Sequence, residues 1–176
     1  MKPSRHDGLS LIEIMVALAL GSIVVGLVGS VFVASLTAQR RGVDLRDAQD
    51  HARGLVDLIA RDIRGASRTP GVQVGPRLAL EEGEPLLSFL AETPAPYRTG
   101  PAWITYVYLP ARGEILQQVA APDPEGGTTV MESRVVATGV VRVAVERVAD
   151  GVAIEAKVRR GHETAEARAV ATPRNP

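Results

Sequence analysis

The stretch HDGLSLIEIMVALALGSIVVGLVGSVFVASLTAQRR, residues 6–41, decides how the rest of the chain is read. It holds an apolar run with a single carboxylate, Glu13, just inside its leading edge. Residues 14–38 carry no charge, and residues 14–36 alone make 23, above the roughly 20 that a helix needs to cross a bilayer. A spanning helix is therefore expected. A secretory signal fits less well, because its apolar stretch runs about 7 to 15 residues and ends in a small-residue cleavage site. Lys2 and Arg5 precede the segment and Arg40, Arg41 and Arg46 follow it, so counting charges does not orient it. A carboxylate costs on the order of 2.5–3.5 kcal/mol at the centre of such a helix and less near its rim. One turn inside the helix, Glu13 also suits the positive end of the helix dipole. A cationic partner at the same depth offsets the cost further, and cleavage after Gly8 would create one as a new amino terminus.

The same helix carries Ser22, Gly26, Ser30, Ala34 and Ala38 at intervals of four, a column of small side chains on one face. In lipid, where apolar helices gain no hydrophobic drive to associate, such columns allow close backbone approach.

The helical pattern continues past Arg40. Leu45, Ala48, Ala52, Leu55 and Ile59 are spaced by three and four, while Arg46, Asp47, Asp50, Arg53, Asp57, Arg61 and Arg64 occupy the other faces. This predicts an amphipathic half of the same helix, with a stop near Gly65 and with Pro70 and Gly71 beyond it. A continuous helix over residues 10–64 spans roughly 80 Å at about 1.5 Å per residue, too long to be buried in one small domain. Beyond Pro70 the period changes to two. Residues 103–109, 115–119, 140–148, 152–158 and 164–171 read as strands, with hairpin turns at Asp150–Gly151 and Gly161–His162. Val141, Val143, Val145, Val152, Ile154, Ala156 and Val158 are expected to cover the polar half of the stem. Residues 71–101 and 121–129, rich in proline and glycine, read as loops broken by short strands near 77–80 and 86–90. The expected fold class is α+β: a lollipop with a long N-terminal helix, half membrane and half amphipathic, packed on an antiparallel β-sheet head. Its divisions are a leader at 1–8, a membrane helix at 9–39, the amphipathic half at 40–66 and the head at 67–176.

Composition excludes several function classes. Lysine plus arginine and aspartate plus glutamate number 20 each, so nothing global draws the chain to nucleic acid or an anionic surface. The absence of cysteine rules out disulfides, thiolate zinc sites and thiol nucleophiles. His6, His51 and His162 show no metal-ligand spacing, and no phosphate-binding glycine loop or GxSxG turn is present. Asp123 and Glu125, followed by Gly126 and Gly127, are too few carboxylates for a calcium cage without ligands from elsewhere. Arg159, Arg160, Arg168 and Arg174 could make a basic edge, but Glu155, Glu163 and Glu166 lie among them and blunt its field. Trp103, Tyr106 and Tyr108 fit core or sheet surface better than a stacking site. No enzyme, metal or cofactor is expected.

Gly8, then Leu9, Ser10, Leu11, Ile12 and Glu13, preceded by the polar leader MKPSRHDG and followed at once by the apolar helix, resembles the class III signal of type IV pilins and pseudopilins. The resemblance implies that a prepilin peptidase cuts between Gly8 and Leu9 and methylates the new amine of Leu9. It also implies that Glu13 guides assembly by meeting the terminal amine of a neighbouring subunit. Leu9 departs from the phenylalanine usual at that position. RGLVDLIARDIRGASRTPG, the strand with Trp103 and Tyr106, GEILQQV and GVVRVAVERV are similar to the J-type minor pseudopilin of type II secretion and the W-type minor pilins. That likeness implies a non-enzymatic subunit of a tip or initiation complex. Its partners would be minor subunits of the I, K, V or X types, a major pilin and an inner-membrane assembly platform. Its head would lie outside the cytoplasm. The competing reading is a permanently anchored extracytoplasmic binding module that is never cut.

Overall fold

The computed structural model describes residues 10–66, 72–75, 83–93, 100–122 and 128–173. It divides into two compact units, residues 1–42 and 43–176. Within the first, the described residues belong to one element, the opening part of helix α1 (Leu11–Arg64), and its apolar side chains are exposed. This part is long and apolar enough to cross a membrane, and none of it is buried within the chain. The helix runs unbroken through Gly42 and Gly54 and stops where Gly65 donates to the carbonyls of Arg61 and Asp62.

In the second unit the rest of α1 meets eight strands: β1 (Gln73–Val74), β2 (Glu84–Thr93), β3 (Gly100–Leu109), β4 (Glu114–Pro122), β5 (Thr128–Thr138), β6 (Val140–Val148), β7 (Gly151–Arg160) and β8 (Glu163–Ala171). Within each sheet every strand pairs antiparallel with its neighbour in sequence, in an α+β arrangement. They form two sheets, β1-β2-β3-β4-β5 and β6-β7-β8, where one sheet was expected. The break falls at Gly139, whose φ of 70° is a left-handed value and where a Cβ would stand 2.6 Å from the carbonyl oxygen of Arg159. Backbone bonds pin the crossing on both sides: Val140 N–H donates to the carbonyl of Gly113 in the β3–β4 turn and Arg159 N–H of β7 donates to that of Gly139, each at 2.8 Å.

The core is one cluster shared by helix and sheets. Ala52, Leu55, Val56, Ile59, Ala60 and Ile63 of α1 meet Leu87, Phe89, Tyr106 and Ile115 of the first sheet and Val140, Val152, Ile154, Ala156 and Val158 of the second. Burying an aliphatic side chain the size of Ile59 contributes about 1.5–3 kcal/mol, so this stripe holds the helix on the head. The stripe begins at Ala48, one turn later than expected, and Leu45 stays exposed.

Three further details depart from the expectation. Val141 is exposed rather than inward, because β6 carries a bulge there: Val140 faces Val158 and Arg142 faces Lys157, leaving Val141 as the extra residue. The β6–β7 turn is Ala149–Asp150, one residue earlier than Asp150–Gly151, with Ala149 at φ 30°. Gly151 serves close approach instead, since a Cβ there would meet the carbonyl oxygen of Ala171 at 2.7 Å. The segment around 86–90 is a ten-residue strand, β2, and β5 was not expected at all. The short strand expected at 77–80 lies outside the described residues.

Candidate assembly segment and the polar cluster of the head

Helix α1 begins with a reciprocal cap. The Ser10 hydroxyl accepts from the N–H of Ile12 at 3.2 Å, and Glu13 Oε2 accepts from the N–H of Ser10 at 3.1 Å. Ser10 also supplies the first helical acceptor, its carbonyl taking the N–H of Ile14 at 3.2 Å. A serine followed three residues later by glutamate is a capping box, and each side chain satisfies a backbone donor that the helix leaves open. In a bilayer rim, where water is scarce, such donors are costly to leave unmet. Glu13 thus has a task inside its own chain. The signal was in the sequence, as Ser10-x-x-Glu13 ahead of an apolar run.

The small residues Ser22, Gly26, Ser30 and Ala34 lie at four-residue intervals on the continuous helix, all exposed. The two hydroxyls turn back on the helix: Ser22 donates to the carbonyl of Ala19 and Ser30 to that of Leu27, each at 2.8 Å. Thr37 does the same toward Val33 at 2.9 Å. The hydroxyl donors of Ser22, Ser30 and Thr37 are thus all met within the helix. Gly8 and Leu9 lie outside the described residues.

A second constellation, one the sequence reading did not pick out, sits where the last turn of α1 meets the first sheet. Asp62 Oδ2 accepts from the Tyr106 hydroxyl and from Gln117 Nε2, both at 2.6 Å; Gln117 Nε2 also reaches the Tyr106 oxygen at 2.9 Å, and Arg134 Nε donates to Gln117 Oε1 at 2.7 Å. Tyr106 and Gln117 are buried and Asp62 is half-buried. The cluster ties α1 to β3, β4 and β5. Burial first, then Asp62 as acceptor and as charge, raises the Tyr106 pKa far above the tyrosine range. A phenol whose folded pKa is raised stabilises the fold fully below its unfolded value of about 10, and that stability is lost as pH rises beyond it. Denaturant midpoints of the wild type should therefore fall between pH 9 and pH 11, and Tyr106→Phe should flatten that decline.

The remaining expected features are dispersed. His51 is exposed on α1 and His162 in the β7–β8 turn, while His6, Arg174 and the acidic turn at 123–127 lie outside the described residues. Among the described residues no group of three or more His, Cys, Asp or Glu could hold a metal ion. Across β7 and β8, Lys157 stands opposite Glu166 and Glu155 opposite Arg168, so this face carries mixed charge. Tyr106 is core, and the Tyr108 hydroxyl donates to the carbonyls of Val140 and Val141 at 3.2 and 3.1 Å, bracing the junction between the sheets.

No curated protein and no solved structure gives a match to the chain. Residues 3–29 match the family model described as Prokaryotic N-terminal methylation motif. That match covers most of the polar leader, the Ser10–Glu13 box and the larger part of the apolar run, so the N-terminal segment carries a prokaryotic N-terminal methylation motif.

Proposed function

We propose that the chain is a minor pilin or pseudopilin subunit, cut between Gly8 and Leu9 and drawn from the cytoplasmic membrane into the tip or initiation complex of a type IV pilus or type II secretion pseudopilus. The observation that carries this reading is the methylation motif over residues 3–29 running without a break into a fully exposed apolar helix. An exposed apolar surface of that length needs first a bilayer and then other helices to cover it. The small column of Ser22, Gly26, Ser30 and Ala34 supports the second step. The partners in this reading are the prepilin peptidase, minor subunits of the I, K, V or X types, a major pilin and the inner-membrane assembly platform, with the head outside the cytoplasm.

Mass spectrometry of the chain from its own membranes tests it. The mature species should begin at Leu9 with a methylated amine, and Gly8→Ala should leave the octapeptide attached. A wild-type chain that keeps its first eight residues sinks the proposal and favours a permanently anchored binding module.

A further inference from the structure

At one end of the second sheet β6 stops at Val148, β7 starts at Gly151 and β8 stops at Ala171, and a cavity of about 550 Å³ opens beside the turn between the first two. Among the described residues, Arg147 and Asp150 are the charged groups that line it. They carry opposite signs, and neither serves the other. The Arg147 guanidinium donates to the carbonyl of Val72 at 2.6 Å, and Asp150 makes no ion pair among the described residues. The bond to Val72 fixes one nitrogen of a group with five N–H donors, and the rest of the fork remains for a carboxylate. The turn itself is built at a local cost. Ala149 and Asp150 lie outside the β6–β7 ladder, and Ala149 holds φ 30°, a value that glycine adopts more readily. The glycine of this stretch is committed elsewhere, since Gly151 approaches the carbonyl oxygen of Ala171. A strained residue at the lip of a cavity is the kind that a binding site retains. The length of β7, about 30 Å at roughly 3.3 Å per residue, separates this end from Gly161, where a Cβ would strike the Asp44 carboxylate of α1. The cavity therefore opens at the end of the unit remote from the first turns of α1 in it.

We propose that this cavity binds a short peptide with free ends, its terminal carboxylate on Arg147 and its terminal ammonium on Asp150. Charge decides the class. A simple anion gains Arg147 and is repelled by Asp150, a simple cation meets the reverse, and a neutral ligand uses neither. A ligand that carries both signs meets both. Size decides the rest: the cavity falls within the roughly 300–1,000 Å³ of small-ligand sites, and three residues extend about 10 Å at 3.3–3.6 Å each. The amides of such a peptide find the Thr172 hydroxyl and the backbone groups of Ala149 and Asp150, which the ladder does not use. The site lies within the second unit alone, so it does not depend on cleavage after Gly8.

Calorimetric titration of the full-length chain in detergent with tri-alanine tests this. The wild type should bind it, and blocking either end, as N-acetyl-tri-alanine or as tri-alanine amide, should weaken binding roughly fivefold, the factor that corresponds to about 1 kcal/mol for an ion pair at a surface. Asp150→Asn, which keeps a good turn residue, should lose the same factor on tri-alanine and nothing further on the acetylated peptide, whose ammonium is gone. Arg147→Gln should behave likewise toward the amide, and Arg147→Lys, which keeps the charge, should retain most of the binding. A wild type that gives no heat with millimolar tri-alanine, or blocked peptides that bind as well as the free one, overturns the proposal. So does an Arg147→Gln deficit of equal size on the free peptide and on its amide, which would place the effect in the lost Val72 bond. Mass spectrometry of the same preparations scores cleavage separately, so loss of the processing step and loss of the peptide site are told apart.

Discussion

Asp62→Ala should be the most destabilising single change in the polar cluster, by about 2–3 kcal/mol. The mutation removes the acceptor of two 2.6 Å bonds, and the buried Tyr106 hydroxyl is left with a proton and no oxygen to receive it. An orphaned buried donor costs about 1–3 kcal/mol, and the space left by the carboxylate adds to that. Gln117 can still donate to the Tyr106 oxygen, which limits the loss. Tyr106→Phe should be milder, about 1–1.5 kcal/mol, because it deletes the donor together with its need for a partner. For a unit of this size, 1 kcal/mol corresponds to roughly 3–5 °C, so Asp62→Ala should lower the melting temperature of the full chain in detergent by about 6–15 °C. Equal losses for the two variants would mean that the cluster does not depend on the carboxylate. Local preference argues against an acid here: Asp62 stands in the last turn of α1, at the negative end of its dipole. The cluster supplies the compensation for that placement.

Where the sequence was legible, one period governed a whole element. The stem helix announced itself by apolar spacing and by its stop at Gly65, and β6, β7 and β8 by alternation in polarity, broken in β6 at Val141. Two of the misreadings, β5 and Val141, share a cause. Strand β5 holds the doublets Val130–Met131 and Val135–Val136, which spoil an alternating pattern; the register places Met131 and Val136 as extra residues at two bulges, on an edge strand whose side chains are mostly exposed. Val141 is the same case, the second valine of a doublet at the bulge of β6. A bulge adds one residue and inverts the inward and outward sense of everything after it, so period-two reasoning fails at that point. The split into two sheets was hidden for a different reason, since a single left-handed glycine, Gly139, turns the chain between strands that each look ordinary. The polar cluster was missed because Gln117 sits inside ILQQV, where either glutamine could face the core. Only the register, with Gln117 opposite Tyr106, decides which one does.

Glu13→Gln should leave the start of the helix intact and still abolish incorporation into a filament, and this substitution separates the two tasks that the position can perform. In the capping box Glu13 acts as a hydrogen-bond acceptor for the Ser10 N–H, and a glutamine oxygen fills that role at the same reach. Helix content, membrane insertion and removal of the octapeptide should therefore match the wild type. The charge is what glutamine removes. If a neighbour's terminal amine is drawn to this carboxylate in the thin dielectric of the bilayer rim, the attraction is several times stronger than it would be in water, and a neutral amide forfeits it. Incorporation, scored by the fraction of chain in sheared filaments, should drop at least tenfold. Glu13→Ala should lose the cap as well, fraying the first turn at a cost of about 1 kcal/mol. A glutamine variant that assembles like the wild type would confine Glu13 to its own helix, and the energy for ordering subunits would then have to come from the apolar surface and its column of small residues.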